Sequence, residues 1–586
     1  MSAYLEGAPA PSPKYATLSE ALAAAARVDV RDAGLGFVDL HDQEQWTSFG
    51  AVLDRAAHLA RALLARGVRP GERVALFAPT SPAFVDAFFG ALLAGAVAVP
   101  LYPPVRLGRL DEYHTATARM LGATGARIVL ADAMVRRLLG RSIERARPAL
   151  GCLAIDELAR DPRRATPLPR GEASDLAIIQ FSSGSTVDPK PVALSHANVL
   201  AQCAALEPLF PARTNEGPPR AGVSWLPLYH DMGLIGSLLS AVYVPGRLAL
   251  IPPEHFLARP ALWLRAISRH RALVSPAPNF AYAYAAKRVR DDELDGVDLS
   301  SWKLALNGAE PVSTAVMQRF SERFARFGFD RAAMTPVYGL AEASLAVTFP
   351  RRGVRLSALD PARPIVSVGE PIAGVSIRVC DDAGHVVDER VVGRIHVRGP
   401  AVMSGYFGRV DDTMRTIVDG WLDTGDLGFV EHGELFVCGR AKDVIIVRGA
   451  NHPPQAFEEP LDEVFGVRPG CAIAVGWSPP GGDGESLLLL VERANEDYDP
   501  TLETRIRAAV VERTGIRPDV VRLVAPGTLP RTSSGKLRRG EALRRFSRGS
   551  LDAPDKVTTL RVVAEVVRST VAFATVRLSP DPEREL

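Results

Sequence analysis

The run Leu176-Ala177-Ile178-Ile179-Gln180-Phe181-Ser182-Ser183-Gly184-Ser185-Thr186-Val187-Asp188-Pro189-Lys190 decides how this chain folds. Its first six residues are an apolar strand, and a hydroxyl-rich, glycine-containing loop follows at once. Such a loop can wrap a phosphate chain, because Gly and Ser let backbone N–H groups point inward and add hydroxyl donors. It is not a P-loop, since no Gly-Lys-Ser/Thr stands at Walker spacing. Taken alone, a Ser/Gly/Thr run is as readily an ordinary turn. Far downstream, Leu529-Pro530-Arg531-Thr532-Ser533-Ser534-Gly535-Lys536 is a second polar loop, ending in one lysine. A lysine brought to the first loop would neutralise charge that develops on a phosphate.

Outward from the first run, strands and helices alternate. A strand is expected over residues 73–78, a helix over 82–93 and a strand over 96–100, with a helix at 51–64 carrying Leu53, Ala57, Leu59 and Leu63. Further strands are expected at 126–130, 222–226 and 248–251. Alternation of this kind builds parallel sheets in an α/β protein. After residue 368 the segments shorten to 376–380, 393–398 and 434–438, separated by turns, which points to a β-rich subdomain. The expected organisation is an N-terminal domain over 1–440, with the β-rich part at 368–440. A small, mobile α+β C-terminal domain follows over 441–546, and a tail over 547–586 carries one helix at 557–573. Residues 1–15 read as disordered or loosely packed.

Composition narrows the function. The 586 residues are 47% hydrophobic and 23% charged, as in soluble multidomain proteins. The net charge of +2, from 69 basic and 67 acidic residues, calls for no nucleic acid. Five scattered cysteines without metal or redox spacing fit a reduced, cytoplasmic setting. The start of the chain lacks a basic, then apolar, leader. The longest apolar stretch, 233–251, is broken by Pro245, Gly246 and Arg247, so it reads as a helix, a turn and a strand rather than a membrane span.

More motifs accompany the two loops. Ser224-Trp225-Leu226-Pro227-Leu228-Tyr229-His230-Asp231-Met232-Gly233 places a histidine and an acid just past a strand, where parallel sheets bind ligands. Leu306-Asn307-Gly308-Ala309-Glu310 and Pro336-Val337-Tyr338-Gly339-Leu340-Ala341-Glu342 each run from apolar residues through glycine to a carboxylate. Trp421-Leu422-Asp423-Thr424-Gly425-Asp426 and Gly439-Arg440-Ala441-Lys442-Asp443 add an acid and a basic pair.

In this order the runs resemble the adenylate-forming superfamily of acyl-CoA synthetases, luciferases and adenylation domains. They are most similar to its fatty acyl-AMP ligases, through Tyr102-Pro103-Pro104-Val105-Arg106, Ala277-Pro278-Asn279-Phe280-Ala281-Tyr282 and Asn451-His452-Pro453-Pro454-Gln455. The resemblance spans residues 18–546. It implies that Ser182, Ser183, Gly184, Ser185, Thr186 and Lys190 surround the β- and γ-phosphates of ATP. Gly308, Ala309 and Glu310 would border the adenine, and Tyr338 would stack on it. Thr186 and Glu342 would hold Mg²⁺, a hard cation that takes oxygen ligands. Asp426, with Arg440 nearby, would bind the ribose. His230 and Asp231 would lie where the acyl carboxylate meets the nucleotide, and Lys536 would bridge that carboxylate and the α-phosphate. Lys442 falls at the hinge of the C-terminal domain.

The implied activity is conversion of a medium- or long-chain fatty acid and ATP into acyl-adenylate and pyrophosphate. Transfer to the phosphopantetheine thiol of an acyl carrier protein in polyketide or peptide synthesis would follow. Residues 277–284 and 234–243 are expected along the acyl tunnel. Departures from the family are Val187 and Pro191 in place of glycines, Ala341 in place of threonine, and a short span at 349–368 where that branch often carries an insertion. The short span keeps an acyl-CoA ligase as an alternative. A non-catalytic nucleotide- or acyl-binding module is the competing class, against which Lys536, Glu342 and Asp426 all stand.

Overall fold

The structure is a computed structural model. It describes every residue except 30–32, 105–106, 163–166, 183–188, 211–219, 352, 358, 360–363, 448–449, 479–485, 496–498, 533–534, 556–557 and 579–586. Two sheets of seven strands stand at its centre. One runs Met334–Pro336, Leu304–Gly308, Val274–Pro278, Ala221–Ser224, Arg247–Leu250, Gly34–Val38 and Glu44–Thr47. The other runs Gly405–Tyr406, Pro191–Ser195, Leu176–Phe181, Val97–Leu101, Arg73–Phe77, Ile128–Ala131 and Cys152–Ala154.

Both sheets are parallel through their middles, as the βα alternation requires. They close with antiparallel pairs, Gly34–Val38 on Glu44–Thr47 and Leu176–Phe181 on Pro191–Ser195. These ends depart from a simple parallel expectation because a short connection can join only antiparallel neighbours. The phosphate-type run 182–190 is such a connection: the Ser182 N–H donates to the Lys190 carbonyl at 3.0 Å, closing its base.

Helices fill the space between the sheets. Phe49–Ala65 begins where the Ser48 hydroxyl accepts the Ala51 N–H at 3.1 Å. Pro82–Leu93 begins with proline in its first turn and the Ser81 hydroxyl accepting the Phe84 N–H. Each cap satisfies a donor the helix leaves unpaired. Phe84, Phe88 and Phe89 are fully buried in the resulting core.

A third, antiparallel sheet is built largely from residues 367–440, where short strands were expected; Ser376–Cys380 and Gly393–Arg398 match their anticipated bounds. One feature corrects the sequence reading. The N-terminal residues are not loose: Tyr4–Glu6 pairs antiparallel with Ser376–Cys380, and Ala3 is fully buried. The tail, whose place the sequence left open, docks on the body. Its helix, Thr559–Leu578, packs on Gly140–Ala146, more than four hundred residues earlier.

After Arg440 the chain forms a separate three-stranded sheet, Val467–Trp477, Ser486–Arg493 and Val520–Val524, with helices Leu502–Thr514 and Arg539–Ser547. It has its own apolar clusters, including Phe457, Leu489, Ile506 and Val510 on one side and Ile473, Leu488 and Leu490 on the other. No helix among the described residues is long and apolar enough to cross a membrane.

Candidate active site

The carboxyl ends of the parallel strands open on one cavity of about 2980 Å³. Strand Ala221–Ser224 delivers the His230-Asp231 loop, Leu304–Gly308 delivers Ala309 and Glu310, and Met334–Pro336 delivers Tyr338 and Glu342. Sequence reasoning placed ligands at these ends, and the cavity lies there. Ser182, His230, Asp231, Glu310, Glu342 and Lys536 all line it. So do Ala309, Tyr338, Asp426 and Arg440. Ser183, Gly184, Ser185 and Thr186 lie outside the described residues.

Each loop is held by local contacts. Gln180 Nε2 donates to the Tyr229 carbonyl at 2.7 Å, joining the end of strand Leu176–Phe181 to the His230 loop. His230 Nδ1 sits 2.5 Å from Asp231 Oδ1, and the same oxygen accepts the Met232 N–H at 2.7 Å. Burial would raise the Asp231 carboxyl. The His230 ring, with Lys536 farther off, outweighs burial and holds it below the usual carboxylate range.

Gly308 ends its strand opposite Pro278, where a Cβ would meet Val337 Cγ2 at 2.8 Å. The next residue, Ala309, adopts the left-handed conformation at φ 67°. That turn sends Glu310 back over the sheet, where Oε1 accepts the Phe280 N–H. Burial pushes the Glu310 carboxyl up. Gly339 serves a similar close approach: a Cβ there would lie 1.8 Å from the Leu345 carbonyl oxygen.

Asp426 and Arg440 face each other in register on neighbouring strands, Trp421–Glu431 and Glu434–Arg440. Arg440 Nε lies 3.1 Å from Asp426 Oδ1, while the Tyr338 hydroxyl donates to Oδ2 at 2.6 Å. Both carboxylate oxygens are thereby oriented. Burial raises the Asp426 carboxyl, and Arg440 and Tyr338 oppose the rise.

Glu342 is gripped by a residue the sequence reading missed. The Tyr406 hydroxyl donates to its Oε1 at 3.0 Å, and the Lys190 ammonium lies 4.5 Å from the centre of the Tyr406 ring. Tyr406 reaches this place because Gly405–Tyr406 pairs with Pro191–Ser195, the strand that leaves the phosphate-type loop. The only signal was the aromatic pair between glycines, Gly405-Tyr406-Phe407-Gly408, which carried no chemistry by itself.

Lys536 arrives from the separate sheet region. It ends a tight hairpin, with the Thr532 N–H donating to the Lys536 carbonyl at 2.8 Å and the Lys536 N–H to the Thr532 hydroxyl at 3.0 Å. Burial lowers the Lys536 ammonium, and the nearby carboxylates of Asp231, Glu310 and Asp426 pull it back up. Lys442, in the short turn Ala441–Asp443 after Arg440, is likewise lowered by burial and by Arg440.

One wing of the cavity is apolar. Trp225 stacks on Phe256 at 4.0 Å and meets Phe280 edge-on at 5.9 Å. Asn279, Phe280, Ala283, Tyr284 and Gly236 line the cavity. Other residues of 234–243 and 277–284 depart from the expectation that these segments face it. Leu234, Ile235, Leu238, Leu239, Ala281 and Tyr282 point into the packed cores. The segment Leu234–Leu239 is a π-helix, which rotates the faces a 3.6-residue period would assign.

The donor set fits an ATP–Mg²⁺ pair. Glu342 is a half-buried carboxylate lining the cavity, its Oε1 held by the Tyr406 hydroxyl, and Mg²⁺ is commonly held by one or two carboxylates together with substrate phosphates. No cluster of three or more His, Cys, Asp or Glu among the described residues forms an all-protein metal cage.

Comparison with known proteins agrees with this geometry. The family model for AMP-binding enzymes matches residues 25–407. A protein of Caulobacter vibrioides that bears an acyl-CoA synthetase name is 35% identical over 92% of this chain and 96% of its own length. The medium-chain fatty-acid–acyl-carrier-protein ligase JamA of Moorena producens is 31% identical over 92% of this chain and 96% of its own. A solved structure from among the fatty acyl-adenylate ligases of E. coli and L. pneumophila is 34% identical. It superimposes with a TM-score of 0.85, covering 92% of this chain and 98% of that one.

Proposed function

Since the chain belongs to the AMP-binding enzymes, in their fatty acyl-AMP ligase branch, we propose that it activates a medium- or long-chain fatty acid with ATP. A fatty carboxylate oxygen attacks the α-phosphorus, the bond to the β-phosphate breaks, and pyrophosphate leaves. The product is an acyl-adenylate, a mixed anhydride with a good leaving group. The acyl group then passes to the phosphopantetheine thiol of an acyl carrier protein in polyketide or peptide synthesis, in the cytoplasm.

One observation carries this reading: Lys536, brought from a separate sheet region, shares a cavity with Asp231, Glu310 and Asp426. An ammonium placed there meets the charge that moves among phosphate oxygens as pyrophosphate departs. His230 and Asp231 border the acyl carboxylate. Asp426 accepts the ribose hydroxyls, and Tyr338, Gly308, Ala309 and Glu310 enclose the base. Ser182 through Thr186, with Lys190, cradle the β- and γ-phosphates. Thr186 and Glu342 would hold Mg²⁺, which supplies charge neutralisation for the phosphates. Residues 441–546 act as the mobile domain, turning at Lys442.

A second reading, acyl-CoA ligase, draws on residues 349–368. That span lacks the insertion of the branch it resembles, and the strands flanking it, Ala346–Phe349 and Ser367–Pro371, pair directly, Thr348 with Pro371.

The test is a product assay with a labelled series of fatty acids, ATP and Mg²⁺, with and without CoA. Acyl-adenylate that persists beside CoA supports the acyl-AMP ligase. Conversion to acyl-CoA moves the second reading to first place. No pyrophosphate from any acid would overturn both.

A further inference from the structure

The tail helix Thr559–Leu578 is fastened to the large body by buried polar contacts. His114 Nε2 lies 2.9 Å from Glu565 Oε1, and His114 Nδ1 lies 2.9 Å from the Ser142 hydroxyl. Arg141 Nη1 stands 3.7 Å from the same Glu565 oxygen. The Gly140 N–H donates to the Ser569 hydroxyl at 2.7 Å, and a Cβ on Gly140 would lie 2.1 Å from the Ser569 carbonyl oxygen. Ser569 is fully buried and Glu565 nearly so. A loose terminal helix would not bury an acid and a hydroxyl against an interlocking glycine.

From Lys536 to Asp555 the chain is pinned at several points. The Lys536 hairpin runs directly into helix Arg539–Ser547, whose Arg539 is ion-paired to Glu458 of the small body. From the same helix Arg545 forks onto Glu112, with contacts of 2.7 and 3.1 Å. Arg109 donates to the Thr528 and Asp552 carbonyls, and Gly108 fits tightly under Asp555. Residues 108–142 of the large body therefore grip the small body at Arg545 and the tail at Glu565.

We propose that residues 548–555 and the tail helix Thr559–Leu578 act as a strap that holds the small body in the orientation that places Lys536 in the cavity, and that Glu565 and Ser569 thereby set acceptor specificity. This inference rests on the adenylating function above. A thiol acceptor must reach the acyl carbonyl near His230, in the cavity that the Lys536 hairpin enters. The hairpin has to withdraw first, and the strap limits how far it can. The attached strap favours adenylate formation and excludes an acceptor that needs full withdrawal, such as free CoA.

The test uses the full-length double variant Glu565→Lys/Ser569→Leu, which sets a cation against Arg141 and a bulky group against Gly140. Hydrogen exchange should rise at least 10-fold in Arg539–Ser547 and Gly140–Ala146, with strand Leu176–Phe181 protected as in the parent. Pyrophosphate release should fall several-fold, and transfer to free CoA relative to adenylate formed should rise about 10-fold. The milder Arg545→Glu should move these readouts the same way, and the swap Glu112→Arg/Arg545→Glu should reverse it. Unchanged exchange in Arg539–Ser547, or no recovery in the swap, would overturn the strap. Exchange is read without substrate, so failure of the parent protein to release pyrophosphate would sink the function while leaving the strap to be judged by exchange.

Discussion

The Tyr406 hydroxyl donates to Glu342 Oε1 across 3.0 Å while the Lys190 ammonium rests over the Tyr406 ring. One side chain thus touches both the end of the phosphate-type loop and the proposed metal-binding carboxylate. Burial pushes the Glu342 carboxyl up, and the hydroxyl helps keep it ionised. Tyr406→Phe keeps the ring and removes the donor. The Mg²⁺ concentration needed for half-maximal pyrophosphate release is expected to rise about 10-fold, the order of ~1.5 kcal/mol for one hydrogen bond to a charged group. Calorimetry of ATP binding with and without Mg²⁺ should show the loss only when Mg²⁺ is present.

Lys536→Ala removes the cation that the hairpin brings to the cavity. Adenylate formation is expected to fall by roughly 10²–10³, the scale of one preorganised electrostatic group. ATP affinity should change far less. Single-turnover kinetics separate the two, and a full adenylation rate in this variant would refute the assignment.

Asp426→Asn keeps the shape of the side chain but cancels its charge between Arg440 and Tyr338. A charge-assisted pair is lost, and one of the two acceptor oxygens offered to Arg440, Tyr338 and the ribose becomes a donor. KM for ATP is expected to rise about 10-fold with kcat nearly unchanged. A deoxyribose analogue of ATP should be penalised less by this variant than by the parent.

His196 supplies a pH dependence unrelated to catalysis. It is buried, and its Nδ1 accepts the Leu18 N–H at 3.1 Å, which requires the neutral ring. Burial lowers its pKa to about 4. The unfolded chain takes up this proton near pH 6.5, before the folded protein does, so stability is present above that pH and is lost as pH falls toward 4. The loss is of the order of ~3 kcal/mol. His196→Gln should flatten the decline in denaturant midpoint between pH 6.5 and 4.5.

Much of the site was legible because its residues sit in compact runs. His230 and Asp231 are neighbours, Glu310 follows Gly308 by two, and Glu342 follows Tyr338 by four. The runs that hold them resemble those of a known family, and the strands that deliver them announced themselves by apolar content. Tyr406 was not legible. Its role depends on the pairing of Gly405–Tyr406 with Pro191–Ser195, a contact between strands more than two hundred residues apart. The acyl wing was legible only in part, because a π-helix changes which residues face inward.

By itself, then, the sequence determined the α/β class, the places of many strands along the chain and the motifs that meet at their carboxyl ends. Those follow from periodicity, turn residues and short motifs, all of which act over a few residues. Only the tertiary structure decided that residues 1–6 complete a sheet, that Tyr406 grips Glu342, and that the tail returns to Gly140. These are contacts between distant segments whose local patterns are unremarkable. Their energy comes from burial and from hydrogen bonds that exist only once the sheets have brought the partners together.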